Sequence, residues 1–122
     1  MLSDLIERVK KLTGPCRETD ALVCAASGYE VRPHGGRDYY EPIVGVSWQE
    51  VPSYTASLDA AVALTERLLP GADWKASVAG WDRHWADISG AKHIYAEGTT
   101  PALALILATL RAYAVKEGQA DG

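Results

Sequence analysis

Residues 74–115 read WKASVAGWDRHWADISGAKHIYAEGTTPALALILATLRAYAV, and this stretch decides the fold class. Its first half holds three short strand candidates, Trp74–Ala79, Arg83–Ile88 and Lys92–Ala96. Gly80-Trp81-Asp82 and Ser89-Gly90 are the turns between them. Its second half is a helix. Thr100 is the cap, Pro101 takes the first position, and Ala and Leu run almost unbroken to Val115. A helix apolar nearly all round is buried on most sides or lies at a subunit contact.

Upstream, Tyr54-Thr55-Ala56-Ser57-Leu58-Asp59-Ala60-Ala61 opens another helix. Ser57 is its expected cap, Leu58, Ala61, Val62, Thr65, Leu68 and Leu69 its expected buried face, and Pro70-Gly71 its end. Between Tyr29 and Val51 the period changes to two. Tyr29, Val31 and Pro33 alternate with Glu30 and Arg32, and Val44, Val46 and Trp48 with Gly45, Ser47 and Gln49, which predicts two strands. His34-Gly35-Gly36-Arg37-Asp38-Tyr39-Tyr40 reads as a flexible connection between them, with residues suited to binding.

The chain begins with two helical patterns. Asp4 and Glu7 have capping-box spacing before Leu5, Ile6, Val9 and Leu12, and Gly14-Pro15 stops the first helix. The second starts near Cys16, with Thr19, Leu22, Val23 and Ala26 as its inner stripe and Gly28 at its end. Helices separated by groups of antiparallel strands define an α+β class. The expected form is one layered domain over residues 1–117, with a mainly antiparallel sheet of about four to five strands covered by about four helices. Residues 118–122 read as a frayed tail.

Composition narrows the function classes. The chain has 122 residues, a net charge of −4 and no basic block, which argues against wrapping duplex DNA. It has no run of eighteen apolar residues and no signal-peptide pattern, so the expectation is a cytoplasmic protein without a membrane span. There are four Trp, six Tyr and no Phe, so every aromatic ring carries a polar handle suited to surfaces used in binding. Cys16 and Cys24, eight residues apart, lie beyond disulfide reach if one helix carries both, and are read as free thiols.

No phosphate loop of the GxxxxGK or GxGxxG type occurs, and His34-Gly35-Gly36 lacks a GxSxG partner. His34, His84 and His93 match no zinc spacing with the two cysteines, so no metal or cofactor is expected. If Arg83–Ile88 is a strand, His84 and Asp87 face opposite ways and form no ready acid–base pair. What remains is a surplus of hydroxyls at two helix mouths. One cap each is explained by Ser57 and Thr100; Tyr54, Thr55 and Thr99 are not. These positions form the candidate binding set, with Thr55, Ser57, Thr99 and Thr100 for phosphate or ribose oxygens. Tyr54 and Trp81 or Trp85 would stack on a base, and Arg37 or Arg83 would neutralise charge.

The segments Leu5-Ile6-Glu7 through Thr13-Gly14-Pro15, Arg17-Glu18-Thr19-Asp20-Ala21, Tyr54 to Ala61 and Thr100 to Leu105 together resemble small phage and prophage proteins with a phage ABA-sandwich domain. The resemblance implies a viral accessory protein and names no catalytic residue. It makes counter-defence by sequestration the leading expectation: a homo-oligomer that holds a small nucleotide-like immune signal without hydrolysing it. A protein–protein interaction module that inhibits a host protein is the alternative. A phosphodiesterase using His84 or His93 ranks last.

Overall fold

The structure, a computed structural model, describes residues 2–41, 48–78, 84–89 and 93–117. Among the described residues there are four helices: α1 (Leu2–Lys10), α2 (Arg17–Ala26), α3 (Leu58–Leu68) and α4 (Pro101–Lys116). The strands are β1 (Val31–His34), β2 (Arg37–Tyr40), β3 (Gln49–Glu50), β4 (Asp73–Val78), β5 (His84–Ser89) and β6 (Ile94–Gly98). The chain is α+β. The strands form two antiparallel sheets of three, ordered β1-β2-β3 and β4-β5-β6, rather than one sheet of four or five.

Helix α4 is the centre of the molecule. Residues 102–110 are buried without a break, as an apolar helix with no polar stripe requires. The second sheet covers one side of α4 through Ala86, Ile88 and Ala96, while α1 and α3 pack on its other sides. Strand β6 comes so near that a Cβ on Gly98 would lie 2.7 Å from the Ala104 amide nitrogen, so only glycine fits there unshifted.

The parallel course of α3 and α4 follows from two contacts. Thr65 Oγ1 and Thr109 Oγ1 meet at 2.7 Å, and Lys116 Nζ donates to the Leu68 carbonyl at 3.4 Å. Thr65 lies eight residues after Ser57 and Thr109 nine after Thr100, so both caps stand at one end, roughly 12–14 Å below the threonine pair.

Helix α1 runs Leu2–Lys10 and buries Leu2, Leu5, Ile6 and Val9, so Asp4 lies within its first turn and does not take the capping position expected of it. Two residues expected inside are outside: Leu22 is 43% exposed on α2, and Leu58 is 41% exposed at the start of α3. The buried stripe of α2 is Thr19, Asp20, Val23 and Cys24 instead, because the buried Asp20 is needed for a polar tie described below.

The expected loop at residues 34–40 is a hairpin. Gly35 and Gly36 have φ of +61° and +82°, the two-residue turn that matches strand twist, and His34 pairs with Arg37 across it. The Tyr40–Val31 pair faces the core, where Tyr40 meets Tyr29 edge-on at 4.9 Å. The expected strand at residues 44–49 falls largely outside the described residues; its last position begins β3.

Candidate ligand-binding site

The two helix mouths are largely occupied by the fold itself. Ser57 Oγ accepts from the Ala60 amide at 3.2 Å, and Thr100 Oγ1 accepts from the Leu103 amide at 3.1 Å, so both are caps as expected. Thr55 is not a free hydroxyl. It is wholly buried and its Oγ1 donates to Asp20 Oδ1 at 2.8 Å, while Thr55 Oγ1 itself accepts from the Cys16 amide at 2.8 Å. The Thr55 amide also donates to Asp20 Oδ1 at 2.8 Å. Tyr54 is only 5% exposed, and burial pushes its phenol far above the ordinary range, so its ring is core and not a stacking platform. Thr99 is exposed at the mouth of α4. Trp81 and Arg83 lie outside the described residues.

Arg17 completes the tie around Asp20. It donates to Asp20 Oδ2 at 2.9 Å, to the Val51 carbonyl at 2.6 Å and to Ser53 Oγ at 3.0 Å. One buried carboxylate and one guanidinium thus bind the start of α2 to the segment leading into α3. The surplus hydroxyl at Thr55 has a structural cause that no local pattern reveals, because its partner is 35 positions away.

Both cysteines are free. Cys16 stands at the N-cap position of α2 without a side-chain cap bond, and hydrogen bonds from the Thr19 side chain and backbone lower its thiol below the ordinary value. Cys24 is fully buried, and that burial pushes its thiol up to about 11.

The outer face of the first sheet is a different matter. Arg32 stands opposite Tyr39 and His34 opposite Arg37, so the pleat puts all four on the side away from Val31 and Tyr40. Glu50 stands opposite Tyr39 on the same side. The Arg32 guanidinium lies 4.9 Å from the Trp48 ring centroid, and His34 meets Tyr39 edge-on at 6.3 Å. Arg32, Pro33, His34, Tyr39 and Trp48 line an open cleft of about 480 Å³. Arg37 is 66% exposed on its side chain, beside Glu50 at 3.4 Å. In a chain of net charge −4, this face gathers two guanidiniums and an imidazole around two aromatic rings, with Glu30 paired to Arg32 and Glu50 to Arg37. Of the residues expected to bind, Arg37 belongs here. His34 and Tyr39 belong to the connection whose residues suit binding, while Arg32 and Trp48 lie outside both that segment and the helix-mouth set; the alternation from Tyr29 to Pro33 is the signal for Arg32.

The second sheet keeps one face open. Trp85 and Tyr95 are in contact there at 6.2 Å between centroids, and Tyr95 is 50% exposed. Asp87, on the same face, pairs with the imidazole of His93, which the cross-strand register places diagonally opposite. The expectation of no ready acid–base pair is corrected to this extent: Asp87 has a histidine partner, supplied by the β6 side. No hydroxyl or thiol is bonded to that imidazole among the described residues. The described residues also hold no cluster of three or more His, Cys, Asp or Glu able to take a metal ion. No described helix is long and apolar enough to cross a membrane. No family model, curated protein or solved structure matches this chain.

Proposed function

We propose that this protein is a non-catalytic binding protein for a small nucleotide-like anion, held on the outer face of the first sheet. The observation that carries this reading is the clustering of Arg32 and His34 with Tyr39 and Trp48 around one open cleft, with Arg37 opposite His34 on the same face of the sheet. Aromatic faces stack on a planar base, and guanidinium forks match phosphate oxygens. The sequence resemblance to phage accessory proteins supports a counter-defence setting, in which an oligomer in the host cytoplasm withholds a nucleotide signal and returns it unchanged.

The test is calorimetry against mononucleotides and against cyclic and linear dinucleotides, with mass spectrometry of small molecules released by heating. Wild type is expected to bind at least one of them and to release it intact. Arg37→Ala and Trp48→Leu are expected to weaken binding with little change in melting. A wild type that binds none of the panel, or a ligand recovered only as hydrolysis product, overturns the proposal.

A second reading has its own support: the contact of Trp85 with Tyr95 on the open face of the second sheet. Neighbouring Lys75, Asp87, His93 and Glu97 make that face mixed in charge, which suits a protein surface better than a phosphate chain. A Trp85→Ser/Tyr95→Ser double variant that loses a host protein retained by wild type, with nucleotide binding intact, favours this reading.

A further inference from the structure

Beside the aromatic cleft, a second cleft of about 620 Å³ opens where the β1–β2 hairpin approaches the start of α2. Two guanidiniums enter it, and both reach the same carboxylate. Arg17 Nη2 lies 3.4 Å from Glu50 Oε2, and Arg37 Nη1 lies 3.4 Å from Glu50 Oε1. Each carboxylate oxygen therefore serves one arginine, in the bridging geometry that a phosphate would use. Both contacts are long for charge-assisted bonds, and the Glu50 side chain is 42% exposed. The rest of Arg17 is firmly fixed by Asp20, Val51 and Ser53 at 2.6–3.0 Å. Glu50 is thus the loosest partner of a guanidinium that is otherwise held in place.

We infer that Glu50 is a built-in competitor for an anion site formed by Arg17 and Arg37, displaced when a phosphate group enters between them. This rests on the reading of the first sheet's outer face as an anion site, and it adds a second subsite to that reading. Arg37 lines the second cleft and pairs across the hairpin with His34, which lines the first. A ligand with a planar ring and a further phosphate spans both, with the ring beside Tyr39 and Trp48 and the phosphate between the two arginines. A single weak anion does not displace Glu50; a doubly charged group does, so the carboxylate sets a threshold of charge for entry.

The experiment is calorimetric titration of inorganic pyrophosphate and, separately, of adenosine monophosphate. Glu50→Gln keeps the shape and removes the charge; it is expected to bind pyrophosphate about tenfold more tightly than wild type. Glu50→Asp keeps the competing charge and is expected to stay near wild type. Glu50→Gln/Arg37→Ala is expected to lose the gain. Because the Glu50 pairs are exposed, melting of the Glu50 single variants is expected to stay near wild type. Equal pyrophosphate affinity in wild type and Glu50→Gln overturns the inference. If adenosine monophosphate still binds in an Arg37-dependent way, the failure belongs to Glu50 alone. If neither probe binds either protein, the anion-site reading falls with it.

Discussion

Thr65 and Thr109 share a hydrogen bond of 2.7 Å between their hydroxyl oxygens, fully buried where α3 lies against α4. Thr65 Oγ1 also lies 2.9 Å from the Ala61 carbonyl, to which it donates, leaving Thr109 to donate to Thr65. This chain fixes the parallel register of the two helices and brings the Ser57 and Thr100 caps to one end.

The chain of donors makes the two hydroxyls unequal. Thr65→Val strands the Thr109 donor in the core and is expected to cost about 1–3 kcal/mol, the penalty of an unsatisfied buried polar group. Thr109→Val leaves Thr65 its acceptor at Ala61 and is expected to cost less, about 0.5–1.5 kcal/mol. The double variant is expected to cost less than the sum. Urea unfolding of the three variants checks this, and equal costs that add contradict the assigned direction of donation.

Thr55→Ala removes a hydroxyl from the buried Asp20 carboxylate and is expected to cost about 2–3 kcal/mol, as for hydrogen bonds to charged groups. Ser57→Ala removes a cap and is expected to cost about 1 kcal/mol. Thr99→Ala, at an exposed position, is expected to stay within about 0.5 kcal/mol of wild type. Thermal melting of the three ranks them. A Thr55 variant as stable as the Thr99 variant would remove the polar tie from the account of the fold.

Gly98→Ala places a methyl group 2.7 Å from the Ala104 amide nitrogen and 3.1 Å from its Cα, both backbone atoms that cannot rotate away. The expected loss is about 1–3 kcal/mol from overpacking. Gly14, with nothing within 4 Å of a built Cβ, serves as the control and is expected to tolerate alanine.

The two thiols separate by pH. Hydrogen bonds from Thr19 stabilise the Cys16 thiolate, so its alkylation is expected to rise at lower pH than that of an ordinary thiol. Cys24 is expected to stay unreacted until the protein opens. Its thiol is raised from 9.0 to about 11 by burial, so the folded state holds its proton more tightly than the unfolded chain. That contribution to stability is complete below pH 9 and is lost as pH rises from 9 towards 11. Urea midpoints that do not fall across that window would contradict the burial of this thiol, and mass mapping of alkylated sites checks the order of reaction.

How much of this was legible locally varies element by element. Thr100 and Pro101 set the start of α4 unaided, because capping and a fixed φ act within one turn, and the Ala–Leu run marked its burial because no polar stripe interrupts it. Ser57 was legible for the same reason. The three strands of the second sheet were found within two residues at either end, since alternation is a property of the strand itself. Local chemistry alone therefore settled the α+β class, the Ser57 and Thr100 caps and the central helix, but not the start of α1. Tertiary structure decided the rest. It split the strands into two sheets, since pairing depends on which strands meet. It turned residues 34–40 from a loop into a hairpin whose outer face gathers Arg32, His34, Arg37 and Tyr39. It also took Thr55 out of the candidate site, because the buried Asp20 carboxylate needs donors and α2 carries it to that hydroxyl across 35 positions of chain.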